Sequence, residues 1–118
     1  IPIFLQSSRD DHIAPCSSVH RTASFFGGPT EFIVAGSGHI AGVINHPDAK
    51  KYQHWTNDRL PDTVDEWISG ATETPGSWWP HWDKWLSKQS GEMVEARVPG
   101  DRKLKVIEAA PGAYARMK

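Results

Sequence analysis

The chain has 118 residues, of which 38% are hydrophobic and 23% charged, and its formal net charge is -1 at pH 7. This length allows one domain, and the composition excludes a disordered tail. The near-neutral charge argues against a nucleic-acid partner, and no apolar run reaches the ~18 residues that a membrane span needs. A single cysteine excludes an intrachain disulfide and favours a reducing compartment, most simply the cytoplasm.

Residues 1–45 are predicted to form a βαβ unit. The apolar run at 3–8 indicates a buried strand, and apolar residues at helical spacing predict a helix over 16–26. The β-branched and aromatic residues at 30–35 predict a second strand. Because such a crossover joins parallel strands, the sequence predicts an α/β fold. Two parallel strands do not make a stable sheet, so we expect further strands from sequence upstream of Ile1.

The rest of the chain is predicted to contain a loop, helices and a tail. Residues 46–62 are polar and rich in turn formers, which predicts a surface loop. Helices are predicted over 63–90, where Thr63 is suited to cap the first of them. Residues 91–118 are charged and interrupted by Gly and Pro, which is typical of a tail.

Tryptophan is concentrated in the predicted helices. Of the six tryptophans, four lie at positions 78, 79, 82 and 85. Trp78, Trp82 and Trp85 follow a helical repeat and share one face. Such a face favours packing into the core over an exposed binding platform, because indoles bury a large area at low entropic cost.

Asp11 and His39 each follow the carboxyl end of a predicted parallel strand. Open α/β sheets place their sites at this edge, so we expect the two side chains to meet. The order of acid and histidine is that of the α/β-hydrolase fold, in which the nucleophile precedes both. In that relay the histidine takes a proton from the nucleophile, and the carboxylate orients the imidazole and stabilises its cation. The alternatives to a catalytic role are that Asp11 is only a turn residue and that His39 is only a loop histidine.

The sequence lacks the Gly-x-Ser/Cys-x-Gly elbow on which the nucleophile of this fold sits. Ser37 lies on the wrong side of the last strand, and Cys16 is expected to be a small buried hydrophobe. We therefore expect a C-terminal fragment whose nucleophile lies upstream of Ile1. His-Glu-x-x-His or paired-histidine spacing is missing, so a metal site is not expected.

Three stretches resemble a known family. They are Ser-Arg-Asp-Asp-His-Ile-Ala-Pro at 8–15, Ala-Gly-Ser-Gly-His-Ile-Ala-Gly-Val-Ile-Asn at 35–45 and Gly-Ser-Trp-Trp-Pro at 76–80. They are similar to the C-terminal part of class I polyhydroxyalkanoate synthases, the poly(3-hydroxybutyrate) polymerases. The similarity covers nearly the whole chain. It implies that residues 1–118 are the C-terminal portion of an α/β-hydrolase catalytic domain.

The resemblance also implies an activity. The family uses a Cys-His-Asp triad and no cofactor to join (R)-3-hydroxyacyl units from coenzyme A thioesters, with release of coenzyme A. His39 matches the histidine that activates the cysteine, Asp11 matches the aspartate that helps to activate the 3-hydroxyl, and His12 matches a residue expected to line the site. The implied partners are the acyl-coenzyme A substrate and the growing polyester, in a cytoplasmic enzyme associated with polyester granules.

The fragment interpretation carries two further expectations. The isolated chain is expected to have no polymerase activity, since it lacks the nucleophile. It is also expected to form a homodimer or to exchange strands, because open sheet edges pair with other chains. Two alternatives remain: the C-terminal part of a serine α/β-hydrolase of the esterase or lipase kind, and a Trp-rich binding module.

Overall fold

Four strands form one mixed sheet. The computed structural model describes residues 1–98, 100 and 103–117. Its strands, in chain order and in spatial order, are β1 (Ile3–Ser8), β2 (Thr30–Ala35), β3 (Gln53–Thr56) and β4 (Thr72–Pro75). β1 and β2 run parallel, whereas β3 is antiparallel to β2 and β4 is antiparallel to β3.

Short helices connect and cover the strands. They are α1 (Cys16–Thr22), continued by a 3-10 turn at Ala23–Phe25, a 3-10 turn at Pro47–Ala49, α2 (Val64–Ser69), α3 (Trp79–Gln89) and α4 (Gly112–Arg116). Thr63 caps α2 as predicted: its Oγ1 accepts the Glu66 N–H at 3.3 Å and donates to the Glu66 carboxylate at 3.0 Å. In the described ranges, none of the helices has the length and hydropathy that crossing a bilayer requires.

The predicted βαβ unit is confirmed. β1, α1 and β2 lie where the sequence places them, and the parallel register runs from Ile3 opposite Thr30 to Ser8 opposite Ala35. The predicted helix over 16–26 continues as a 3-10 turn that ends at Phe25.

Two predictions about the middle of the chain are wrong. The segment 46–62 is not only a loop, since β3 lies within it, and 63–90 contains β4 as well as helices. Each strand has four residues, too few for alternation to stand out against polar neighbours. Later parts of the chain therefore extend the sheet beyond β2, and the expected strands from upstream of Ile1 stay a prediction.

The larger core lies on one face of the sheet. Phe32 and Val34 of β2 and Trp55 of β3 pack with Trp67 of α2. The rings of Phe32 and Trp67 meet edge to face, with centroids 4.9 Å apart. Because side chains alternate between the two faces of a strand, Glu31 and Ile33 of β2, and Phe4 of β1 opposite Glu31, point to the other face of the sheet.

Helix α3 covers that opposite face. Phe4 of β1 packs against Trp78 at 6.2 Å and against Trp85 at 5.3 Å, measured between ring centroids. The ring of Trp82 lies tilted against that of Trp78, with centroids 6.0 Å apart, at the border of this cluster, and Trp82 is 39% exposed. His81 contacts the carboxylate of Glu31 on β2. The expectation that the indole face packs rather than forms an exposed platform is confirmed for Trp78 and Trp85.

Candidate active site

The loops that follow β1 and β2 lie side by side, because parallel strands end at the same edge of a sheet. Backbone bonds join them directly: the Arg9 N–H donates to the Ala35 carbonyl at 2.8 Å, and the Asp10 N–H donates to the Ser37 carbonyl at 3.1 Å. The guanidinium of Arg9 also lies over the ring of Trp55, 4.9 Å from its centroid. The first loop is thus tied both to the second loop and to β3.

Asp11 and His39 meet where these loops touch. Nδ1 of His39 lies 2.7 Å from Oδ2 of Asp11. The Asp11 side chain is only 6% exposed, whereas that of His39 is 46% exposed. The carboxylate is thus enclosed, and the imidazole reaches from it toward the surface.

The two oxygens of Asp11 have separate partners. Oδ1 accepts the backbone N–H groups of Ile13 and Ala14, both at 2.9 Å, while Oδ2 faces His39. The Ala14 N–H above all, with smaller contributions from His39 and the Ile13 N–H, lowers the pKa of Asp11 to about 2 against the opposing effect of burial. The ionised carboxylate can only accept, so Nδ1 of His39 carries the proton and Nε2 remains free to accept one.

We expect Asp11→Asn to lower the free energy of unfolding near neutral pH and to lose this effect in acid. The pKa of Asp11 is depressed from 3.8 to about 2, so ionisation stabilises the fold above about pH 4, and this contribution disappears as the pH falls through 2. Asparagine retains an oxygen for the Ile13 and Ala14 N–H groups. Urea unfolding from pH 7 to 2 measures the difference, with Asp10→Asn as the control. A difference that does not change with pH would contradict the assignment.

The loop that carries His39 is tightly folded. Ser37 adopts a left-handed conformation with a φ of 68°, which a non-glycine residue tolerates only where its surroundings hold it. A Cβ on Gly42 would lie 2.2 Å from the Gly36 carbonyl oxygen and 2.9 Å from the Ser8 Oγ. Only glycine fits at 42, and the close approach it permits fixes the course of the loop after His39.

The other residues singled out from the sequence lie in different surroundings. His12 is exposed, directly after Asp11. Cys16 packs against the core cluster, and burial raises the pKa of its thiol, which disfavours the thiolate that a nucleophile needs. Across the described ranges, no group of three His, Cys, Asp or Glu side chains is arranged to hold a metal ion.

Two further histidines, His54 and His81, are buried or partly buried and are not surface residues. His54 is 5% exposed, its Nδ1 lies 3.2 Å from the Gly76 carbonyl, and burial lowers its pKa. The partly buried ring of His81 packs 6.2 Å from that of His54. Both histidines lie where the sheet meets α3, and the prediction of a loop over 46–62 concealed this for His54.

Sequence reasoning also missed two contacts to the His39 loop. The indole N–H groups of Trp78 and Trp79 donate to backbone carbonyls of Gly42 and Val43. The concentration of tryptophans was visible in the sequence, but it predicts packing and does not indicate which carbonyls the indoles meet.

Comparison with known proteins identifies the relatives of this chain. No protein-family model matches it. It is 53% identical over 114 residues to the poly(3-hydroxyalkanoate) polymerase subunit PhaC of Rhizobium etli, an alignment that covers 97% of the chain and 18% of that protein. It is 47% identical to the poly(3-hydroxyalkanoate) polymerase of Methylorubrum extorquens and 41% identical to the PhaC subunit of Cupriavidus necator, in each case over 100% of the chain and 20% of the relative.

The chain spans about a fifth of the length of the curated relatives that it matches. The similarity is not confined to the loops of Asp11 and His39, since it extends over the sheet, the tryptophan helix and the C-terminal segment. By sequence, the chain therefore belongs to the poly(3-hydroxyalkanoate) polymerase family.

Proposed function

We propose that this segment supplies the aspartate and histidine of a Cys-His-Asp triad that polymerises (R)-3-hydroxyacyl groups from coenzyme A thioesters. The contact of 2.7 Å between His39 and an ionised Asp11 is the observation that carries the proposal. The polymerase names of the relatives indicate the substrate class. Residues 1–118 would then be the C-terminal portion of an α/β-hydrolase catalytic domain, and the cysteine would come from outside them.

In the first step, Nε2 of His39 accepts the proton of the cysteine thiol, and the thiolate attacks the thioester carbonyl. The bond between the acyl carbon and the coenzyme A sulfur breaks, and the leaving thiolate takes the proton from the imidazolium. Asp11 stabilises that imidazolium through Nδ1. Thiolate attack and thiolate departure are chemically alike, so one cysteine can accept an acyl group and pass it on.

In the second step, the 3-hydroxyl of another unit attacks the acyl-enzyme. A carboxylate with a pKa of about 2 is a weak base for a hydroxyl proton, and both Asp11 oxygens already have partners. Asp11 therefore acts through His39, whose Nε2 takes the hydroxyl proton. The hydroxyl oxygen forms an ester bond with the acyl carbon, the bond from that carbon to the cysteine sulfur breaks, and the released thiolate takes the proton back from the imidazolium. His12 is proposed to line the substrate path, since it is exposed directly beside Asp11.

The proposal extends to assembly and location. β1 and β4 are the edge strands of the sheet, and unpaired strand edges invite pairing with another chain. We propose a homodimer or strand exchange on this ground. We also propose that the protein acts on the growing polyester in the cytoplasm, in association with polyester granules, which the polymerase names of the relatives support.

Release of free coenzyme A from (R)-3-hydroxybutyryl-coenzyme A tests the activity. We expect release by the full-length protein that contains this segment and none by residues 1–118 alone, since these contain no nucleophile elbow. A thiol alkylator should abolish release, whereas a serine-directed phosphonate should leave it intact. The opposite inhibitor pattern would favour a serine hydrolase, and release by residues 1–118 alone would contradict the proposed division of the triad.

A further inference from the structure

We propose that Trp78 and Trp79 are positioning residues that hold the His39 loop in register with Asp11 through their indole N–H groups. This inference rests on the proposed function, because it assigns these indoles a part in the proton relay of His39. It concerns how the relay is aligned and adds no group that touches the substrate.

The contacts are specific to the indole nitrogens. Nε1 of Trp79 donates to the Val43 carbonyl at 3.0 Å. Nε1 of Trp78 is shared between the carbonyls of Gly42 and Val43, each at 3.2 Å. Two donors from the start of α3 thus converge on two consecutive carbonyls in the loop that carries His39, about one helical turn after it.

The donors themselves are held firmly. The ring of Trp78 packs on Phe4 of β1, and His81, one turn further along α3, contacts Glu31 of β2. The rings of His46 and Trp79 pack in a T-shaped arrangement, with centroids 5.8 Å apart. The indoles therefore connect the His39 loop to the two strands from which the Asp11 and His39 loops depart.

The loop is built to transmit this restraint. Gly42 is buried against the Gly36 carbonyl and Ser8, so the segment after His39 cannot shift without moving the segment before it. The Gly42 N–H also donates to the Gly38 carbonyl at 3.1 Å, which closes the loop around His39. Loss of the indole donors should therefore disturb the hydrogen bond between Nδ1 of His39 and Oδ2 of Asp11.

Phenylalanine separates donation from packing, because it keeps an aromatic ring and removes the N–H. The test variants are Trp79→Phe and the double variant Trp78→Phe/Trp79→Phe. Trp85→Phe is the matched control, since Trp85 lies on the same helix, is half-buried and packs its ring on Phe4. All variants are made in the full-length protein, and the substrate is (R)-3-hydroxybutyryl-coenzyme A.

Two readouts distinguish positioning from general stability. In the double variant we expect kcat to fall about 10- to 100-fold with KM within about twofold, since small displacements of a proton-transfer group act on the chemical step. In parallel, the downfield proton resonance of His39 Nδ1–H, assigned by its loss in His39→Ala, should weaken or disappear. Trp79→Phe should give a smaller effect of the same kind, and Trp85→Phe should change neither readout.

The outcomes separate this inference from the function on which it rests. Unchanged kcat and an unchanged resonance in the double variant would overturn the positioning role. Equal losses in Trp85→Phe would overturn it too, because packing and not donation would then be responsible. Full activity of His39→Ala would instead refute the proposed triad, while the resonance would still report whether the indoles align the loop. A variant with β-(3-benzothienyl)alanine at position 79 keeps the shape of tryptophan and replaces its N–H by sulfur. It should show the same changes in kcat and in the resonance as Trp79→Phe, and it serves as the test if phenylalanine perturbs folding.

Discussion

Replacing His39 with alanine is expected to slow coenzyme A release by about 10²- to 10⁴-fold, the contribution typical of a positioned general base. The imidazole is the only group in the proposed relay that moves a proton in both steps. Its side chain is 46% exposed, so its removal leaves the core intact, but the enclosed Asp11 loses a hydrogen-bond partner, and the free energy of unfolding should fall by about 1–3 kcal/mol. The measurement is steady-state release of coenzyme A by the full-length protein, with urea unfolding of the same sample.

The double variant with Asp11→Asn provides the internal control. If Asp11 acts through His39, then the loss in Asp11→Asn/His39→Ala should match that of His39→Ala alone, because members of one relay act as a unit. Losses that multiply would mean that Asp11 deprotonates the 3-hydroxyl directly. That result would contradict the mechanism drawn from the two occupied oxygens of Asp11.

Trp67→Ala is expected to cost about 3–5 kcal/mol of unfolding free energy, because it removes the largest fully buried side chain and leaves a cavity. Trp67 contacts Phe32 edge to face and joins α2 to the central strands. Urea denaturation of the full-length protein measures the effect. Ile68→Ala, at a neighbouring position that is 39% exposed, should cost far less.

Trp67→Phe refines the same test. Among the described residues, the Trp67 Nε1 has no hydrogen-bond acceptor, so phenylalanine relieves an unpaired buried donor while it loses part of the packing. The two effects oppose each other, and we expect a cost well below that of alanine. A cost equal to that of alanine would contradict the assignment of Nε1 as an unpaired donor.

The elements that could be predicted are those with strong local patterns. β1 and β2 are six-residue runs rich in apolar or β-branched side chains, and α2 begins at a threonine that caps it. β3 was missed because its pairing with β2 and β4 makes it a strand, while its own four residues and polar flanks are those of a loop. β4 is exposed along its length, so no burial pattern marks it.

The contacts of the candidate site also divide into those that the sequence predicts and those that it does not. The meeting of Asp11 and His39 followed from the sequence because parallel strands bring their carboxyl ends to one edge, whatever the rest of the fold does. The bonds from Trp78 and Trp79 to the His39 loop depend on how α3 lies across the sheet. No local pattern fixes that placement, and the same holds for the burial of His54 beneath the helix.

The parallel pairing of Ser8 with Ala35 has a consequence for how this sequence can change in evolution. A slip of one residue would carry one loop about 3.3 Å past the other and turn its strand over, so the acid and the imidazole would separate. Mutational tolerance should therefore be low at buried strand positions such as Ile33, because their packing keeps the register that holds Asp11 beside His39.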